Sequence, residues 1–223
     1  ASVGIFVDGV YFARQGAAIN DFLSLDRVEV LRGPQSTLFG RNTPAGVISF
    51  VSKAPEREFN GTAEITAGNY GSKIIRGTVT GPAGDNLAFR LDGNFNQRDG
   101  TLKNVRDGRD LNDRDRWSVR GQLLQTIGEN TTVRYIADFA KIDEHCCAAP
   151  FSFYTPASRA VIPALGGTLL PADPFAGQIA IDNPVFTSTE SKGVSAQIDH
   201  QFDGFSLTSI TAFRQYNESQ NID

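Results

Sequence analysis

Antiparallel β structure through most of the chain, behind a shorter mixed α+β segment, is the fold class this sequence predicts. Three observations predict it. From residue 59 onward the hydrophobic period becomes two. Turn residues and loops recur between runs of about ten residues, the spacing of strands rather than helices. No run approaches the ~18 consecutive apolar residues that a transmembrane helix needs.

The segment 1–53 is mixed. Val3-Gly4-Ile5-Phe6-Val7 is apolar enough for a buried strand, and Asp8-Gly9 is a turn signal. Asn20 to Leu25 predicts a helical turn with Asn20 or Asp21 as its cap. Arg27 to Leu31 and Val47 to Lys53 read as strands, and Ala54-Pro55-Glu56-Arg57 breaks the pattern, giving a boundary between segments 1–54 and 58–223. Behind it about seven strands are expected, at 59–68, 73–81, 86–97, 115–126, 131–142, 192–202 and 205–217.

Four of these have clean faces. Ala63, Ile65 and Ala67 oppose Thr62, Glu64 and Thr66; Leu87, Phe89, Leu91 and Phe95 oppose Arg90, Asp92, Asn94 and Asn96. Val133, Tyr135, Ala137 and Phe139 oppose Arg134 and Asp138; Val194, Ala196, Ile198 and Phe202 oppose Ser195, Gln197, Asp199 and Gln201. The last strand is less clear, because Leu207, Ile210 and Phe213 do not share one parity. Such strands fit a soluble sandwich or a membrane barrel. Connections 82–85, 127–130 and 203–204 are short, whereas 99–114 and 144–190 are long. Short turns at one end and long loops at the other favour the barrel. In that reading the polar faces point into the lumen, against plug or water, the apolar faces meet lipid, and Tyr70, Phe95, Trp117 and Tyr135 are candidates for interfacial aromatic girdles.

The most informative run lies in the first segment: Arg27-Val28-Glu29-Val30-Leu31-Arg32-Gly33-Pro34-Gln35-Ser36-Thr37-Leu38-Phe39-Gly40, continued by Asn42-Thr43-Pro44-Ala45-Gly46-Val47-Ile48-Ser49-Phe50-Val51-Ser52-Lys53. It resembles the second half of the plug domain of a TonB-dependent outer-membrane receptor, a family that threads a globular plug through a large transmembrane β-barrel. The resemblance makes residues 1–54 the C-terminal part of an α+β plug and 58–223 the first strands of the barrel. Seven strands do not close a barrel, since plugged transporters have about 22, and open edges in lipid are costly. No basic n-region or cleavage site precedes Ile5-Phe6. An internal stretch of a longer receptor is therefore expected, without the first half of the plug or the N-terminal TonB box.

By resemblance the parent takes up a scarce nutrient, most often a ferric siderophore, at the Gram-negative outer membrane. Its partners are the TonB complex, reached through the TonB box, and outer-membrane lipid. Arg32 matches the arginine before the plug's Gly-Pro, and with Glu29 it is the candidate for a polar lock between plug and barrel. Surface charge on an edge strand is the plainer alternative for both. Gly33, Pro34, Gly40 and Gly46 are candidate plug turns, with Ala45-Gly46 where many relatives have Gly-Gly. In the long loop, Phe151, Phe153, Tyr154 and Phe175 are ligand-facing candidates, or else they pack the loop onto the rim.

Other classes find less support. The net charge of −4, without basic runs, argues against nucleic acid. The glycines lack a phosphate-binding fingerprint. There is no Gly-x-Ser-x-Gly or His-Glu-x-x-His motif, so no enzyme, catalytic residue or cofactor is expected. His145-Cys146-Cys147 lacks the spacing of a zinc site, so no metal is expected, and a vicinal disulfide suits an oxidising exterior. The rival reading is a soluble, secreted β-rich binding domain whose plug-like run is accidental.

Overall fold

The computed structural model describes residues 3–14, 24–40 and 42–221. Most of the helical turn expected at 20–25 lies outside the described residues. The first segment forms a four-stranded sheet in the order β2-β1-β4-β3, with β1 at Val3–Val7, β2 at Val10–Phe12, β3 at Leu25–Arg32 and β4 at Gly46–Ser52. Asp8 and Gly9 both take positive φ, 47° and 75°. Paired positive φ gives the tight turn whose twist suits an antiparallel hairpin, here β1–β2. β4 lies parallel to β1 and antiparallel to β3. Ile5, Val7 and Phe12 are buried, with Ile48 and Phe50 packed on them. A single helical turn, α1 (Ser36–Phe39), bridges β3 and β4, and Phe39 meets Phe6 edge-on at 5.0 Å.

The second sheet has seven strands, ordered β5-β6-β7-β10-β11-β13-β14, each antiparallel to its neighbour. They run over Asn60–Ala67, Lys73–Gly84, Leu87–Arg98, Arg114–Ile127, Thr131–Glu144, Phe186–Gln201 and Ser206–Asn221. β13 begins six residues before the expected 192, because Thr187 to Glu190 pair with Glu144 to Lys141. That polar stretch carries no apolar alternation, so only its cross-strand partner defines it. The loop expected at 144–190 is correspondingly shorter and contains a helix, α2 (Pro156–Ala164), capped by the Thr155 hydroxyl.

The expected connection 99–114 also contains strands: β8 (Leu102–Asn104) and β9 (Asp110–Leu111) join β12 (Gln178–Ile179) in a small separate sheet. Leu102, Leu111, Ile179 and Val185 form its core. The side chain of Asn104 donates to the Ile181 carbonyl at 3.0 Å and accepts from the Ile181 amide at 3.2 Å. The two long loops thus fold on each other. Beside this sheet Cys146 and Cys147 are disulfide-bonded to one another, and His145 Nδ1 lies 3.0 Å from Asp113.

Burial in the seven-stranded sheet is the reverse of a soluble protein. In β7, Ala88, Arg90, Asp92 and Asn94 are buried while Leu91, between them, is 47 % exposed. In register on that outer face, Val194 and Phe213 are 55 % and 68 % exposed. Trp117, Leu123, Tyr135 and Ile198 are exposed there too. A soluble protein rarely leaves an apolar patch of this extent uncovered, whereas a membrane barrel requires one. The register also resolves β14. Ile210 pairs opposite Gln197 on the polar face, and its Cδ1 would lie 2.5 Å from a Cβ at Gly9. It packs on the β1–β2 turn of the first sheet, while Leu207 and Phe213 point outward.

Candidate functional site

Period-two alternation places the polar side chains of β6, β7, β10, β11, β13 and β14 on the face that meets the four-stranded sheet. Three clusters form the seam. The first surrounds Asp8, whose side chain is 3 % exposed. Its carboxylate accepts from the Ser52 amide and the Ser52 hydroxyl, both at 2.9 Å, which ties the end of β1 to the end of β4. From the wall, Arg120 donates to it and Arg134 lies 3.6 Å away. Arg134 also donates to the Ser52 hydroxyl at 2.8 Å, the Ser52 carbonyl at 3.1 Å and Gln122 at 3.0 Å. Gln122 in turn donates to the Lys53 carbonyl at 3.2 Å. A buried carboxylate is tolerable only with this kind of satisfaction.

The second cluster centres on Arg90, with Nε 3.3 Å from both Asp92 oxygens and a guanidinium nitrogen 3.9 Å from Glu56. Thr78 donates to Asp92 at 2.8 Å and meets Ser24 at 3.1 Å. Thr80 accepts from the Glu56 amide at 2.8 Å. In the third, Arg214 makes a forked pair with Asp138 at 2.7 and 2.9 Å, and its guanidinium lies 4.0 Å from the centre of the Phe12 ring. Gly193 makes room for it: a Cβ there would lie 2.6 Å from the guanidinium nitrogen. Cation–π contact and a planar fork both favour arginine over lysine at this point.

The residues singled out from the sequence lie outside these three clusters. Glu29 is paired with Arg27 at 2.7 Å. Arg32 is exposed at the end of β3 and makes no ion pair among the described residues. Gly33, Gly40 and Gly46 take φ of 86°, 73° and 151°. At Gly46 a Cβ would stand 2.5 Å from the Leu31 carbonyl, so β3 and β4 approach closely because that side chain is absent. Pro34 lies on an excursion closed by Gly33 N–H to the Ala45 carbonyl and Gln35 N–H to the Thr43 carbonyl, both 3.1 Å. Phe151 and Tyr154 form a ring pair at 5.0 Å, while Phe153 and Phe175 are 71 % and 94 % exposed.

The seam was only partly foreseen. Arg90, Asp92, Arg134 and Asp138 are expected to face the lumen, against plug or water, and the structure joins them to the first sheet or to each other. In the sequence Asp8 stands out only as part of the Asp8-Gly9 turn signal. Arg120, Gln122 and Arg214 lie on strands whose alternation is irregular, and the signal that finds them is parity in register with Asp92, Arg90 and Gly193.

Residues 1–47 match the family model of the TonB-dependent Receptor Plug Domain. The chain is 29 % identical over 140 residues to the Ferrioxamine receptor of Yersinia enterocolitica, covering 61 % of the chain and 19 % of that receptor. It is 34 % identical over 115 residues to the Ferrioxamine B receptor of Salmonella typhimurium, covering 51 % of the chain and 15 % of that receptor. Among solved structures, the ferric yersiniabactin uptake receptor FyuA of Yersinia pestis superposes with a TM-score of 0.82 at 19 % identity, covering 98 % of this chain and 32 % of that one. The ferric-catecholate import receptor Fiu of E. coli K12 gives 0.76 at 15 % identity, again over 98 % of this chain and 32 % of that one. The chain therefore spans about a fifth or less of these curated relatives. A sheet held by buried ion pairs against the polar face of an outward-apolar wall accompanies these likenesses: residues 1–47 match the plug domain of TonB-dependent receptors, and the chain shares its fold with part of the uptake receptors FyuA and Fiu.

Proposed function

We propose that this chain is part of an outer-membrane receptor that takes up a ferric siderophore with energy delivered through the TonB complex. The observation that carries the reading is the inverted sheet: apolar side chains exposed on the outside, charged ones buried against the plug. That arrangement suits lipid outside and a movable polar seam inside, and it leaves the soluble-domain alternative with an uncovered apolar face. The plug passes into the barrel within 54–58, between β4 and β5, where Ala54-Pro55 interrupts the pattern. Arg32 and Glu29 face barrel strands of the parent and contribute to its plug–barrel lock. Gly33, Pro34, Gly40 and Gly46 shape the plug turns. Phe151, Phe153, Tyr154 and Phe175 present apolar rings to the cargo from the long loop, and two of them stand free enough to do so. The protein binds and transports rather than catalyses; relatives named as siderophore receptors support this.

The test is uptake of radioiron-loaded siderophores by iron-starved cells carrying the full receptor, in TonB-competent and TonB-deficient backgrounds. Uptake of at least one ferric chelate that requires both the receptor and TonB is expected. Receptor recovered in the soluble fraction, or iron uptake indifferent to TonB across hydroxamate, catecholate and carboxylate chelates, overturns the reading.

A further inference from the structure

The ion pairs of the wall are of two kinds. Arg76 pairs with Glu64, Arg90 with Asp92, Arg116 with Glu144 and Arg214 with Asp138, each acceptor belonging to the wall itself. Arg120 and Arg134 differ. Among the described residues the one carboxylate within ion-pair distance of either is Asp8, which belongs to the plug. If the plug moves away, four of these arginines keep their partners and these two lose theirs. Both are largely buried, with side chains 17 % and 13 % exposed, and leaving such charges uncompensated is strongly unfavourable. Arg120 also holds its Nε buried without an acceptor among the described residues, so the pair has donor capacity beyond what Asp8 uses.

We propose that Arg120 and Arg134 form an oxyanion site on the barrel wall, filled by the Asp8 carboxylate at rest and by a carboxylate of the passing cargo once Asp8 withdraws. This rests on the reading of the four-stranded sheet as a plug that moves. Two guanidinium groups converging on one carboxylate are suited to a planar, bidentate anion. A cargo carboxylate that replaces Asp8 offsets the charge exposed by opening. Binding there and plug displacement therefore favour one another.

The test is chemical rescue in the purified full receptor. Asp8 sits at φ 47°, a conformation glycine adopts freely, so Asp8→Gly removes the carboxylate without backbone strain. Its melting temperature is expected to fall and to recover by half or more in roughly 50 mM formate, but not in equimolar chloride, which screens equally. The same formate is expected to do nothing for Asp8→Gly/Arg134→Gln. In the wild type, formate competes with Asp8 and should lower the urea concentration at which β4 amides lose exchange protection. That second measurement stands if Asp8→Gly fails to assemble. No formate-specific effect in either protein, or rescue that survives Arg134→Gln, overturns the site. Loss of TonB-dependent uptake plays no part in these readouts, so they fail separately from the transport reading.

Discussion

Replacing Arg134 with methionine should loosen the plug without unfolding the wall. Methionine keeps much of the apolar stem and deletes the guanidinium. The side chain is 13 % exposed, so its interactions are little screened by solvent. What is lost is the donation to Ser52 Oγ at 2.8 Å, to the Ser52 carbonyl at 3.1 Å and to Gln122 at 3.0 Å, together with the 3.6 Å pairing to Asp8. Hydrogen bonds to charged groups contribute about 1.5–3 kcal/mol each, and breaking a buried pair costs roughly 3–5 kcal/mol. Asp8 keeps Arg120 and both Ser52 donors, which argues for the lower end. A loss of about 3 kcal/mol corresponds to a roughly 100-fold larger open population, at ~1.4 kcal/mol per factor of ten. Hydrogen exchange of the full receptor in detergent reads this directly: amides of β1 and β4 should lose about two orders of magnitude of protection while β10 and β11 keep theirs. Arg134→Lys should fall between, because an ammonium keeps the charge but not the fork. Unchanged protection in β4, or equal loss in β10 and β11, would refute the assignment of Arg134 as a plug clamp.

Three further outcomes follow from other contacts. Gly193→Ala should destabilise the receptor by about 1–3 kcal/mol by pushing the Arg214 guanidinium off Asp138 and Phe12; in an Arg214→Ala background its extra cost should vanish, and a persistent cost in heat denaturation would show that the clash is not the cause. Asn104→Ala leaves the half-buried Ile181 amide and carbonyl without their side-chain partner, so the loop at 145–185 should be cut about thirtyfold faster in limited proteolysis, for a loss of about 2 kcal/mol; an unchanged cleavage rate would remove Asn104 as the tie between loops. Cys146→Ser with Cys147→Ser should shift unfolding by less than about 1 kcal/mol, since neighbouring residues close no length of chain; a larger loss would give the disulfide a structural role beyond its own peptide.

The division between what was legible and what was not has a consistent cause. Alternation in β7 and β11 was clear from the sequence because Leu91 against Asp92, or Tyr135 against Arg134, differ in polarity at every step. The plug run Arg27–Lys53 was legible because its turn residues fall at particular places: Gly33, Gly40 and Gly46 all adopt positive φ. Period alone could not extend β13 to Phe186, as Thr187, Ser188 and Thr189 have no preferred side until Glu144, Asp143 and Ile142 lie opposite them. Nor could it orient Ile210, an apolar residue whose inward position is compensated by Gly9 across the seam.

What the sequence determined by itself is the presence of the seven wall strands, the apolar faces of those that alternate cleanly, and that a plug-like segment precedes a wall. Those properties are local: they depend on neighbours one or two residues away and on backbone angles that particular residues favour. The seam was decided by tertiary structure alone. Asp8 and Arg120 are 112 positions apart. Nothing in either residue's neighbourhood distinguishes a buried ion pair from two solvated charges; only the docking of the plug sheet on the polar face excludes the water that would otherwise have satisfied both.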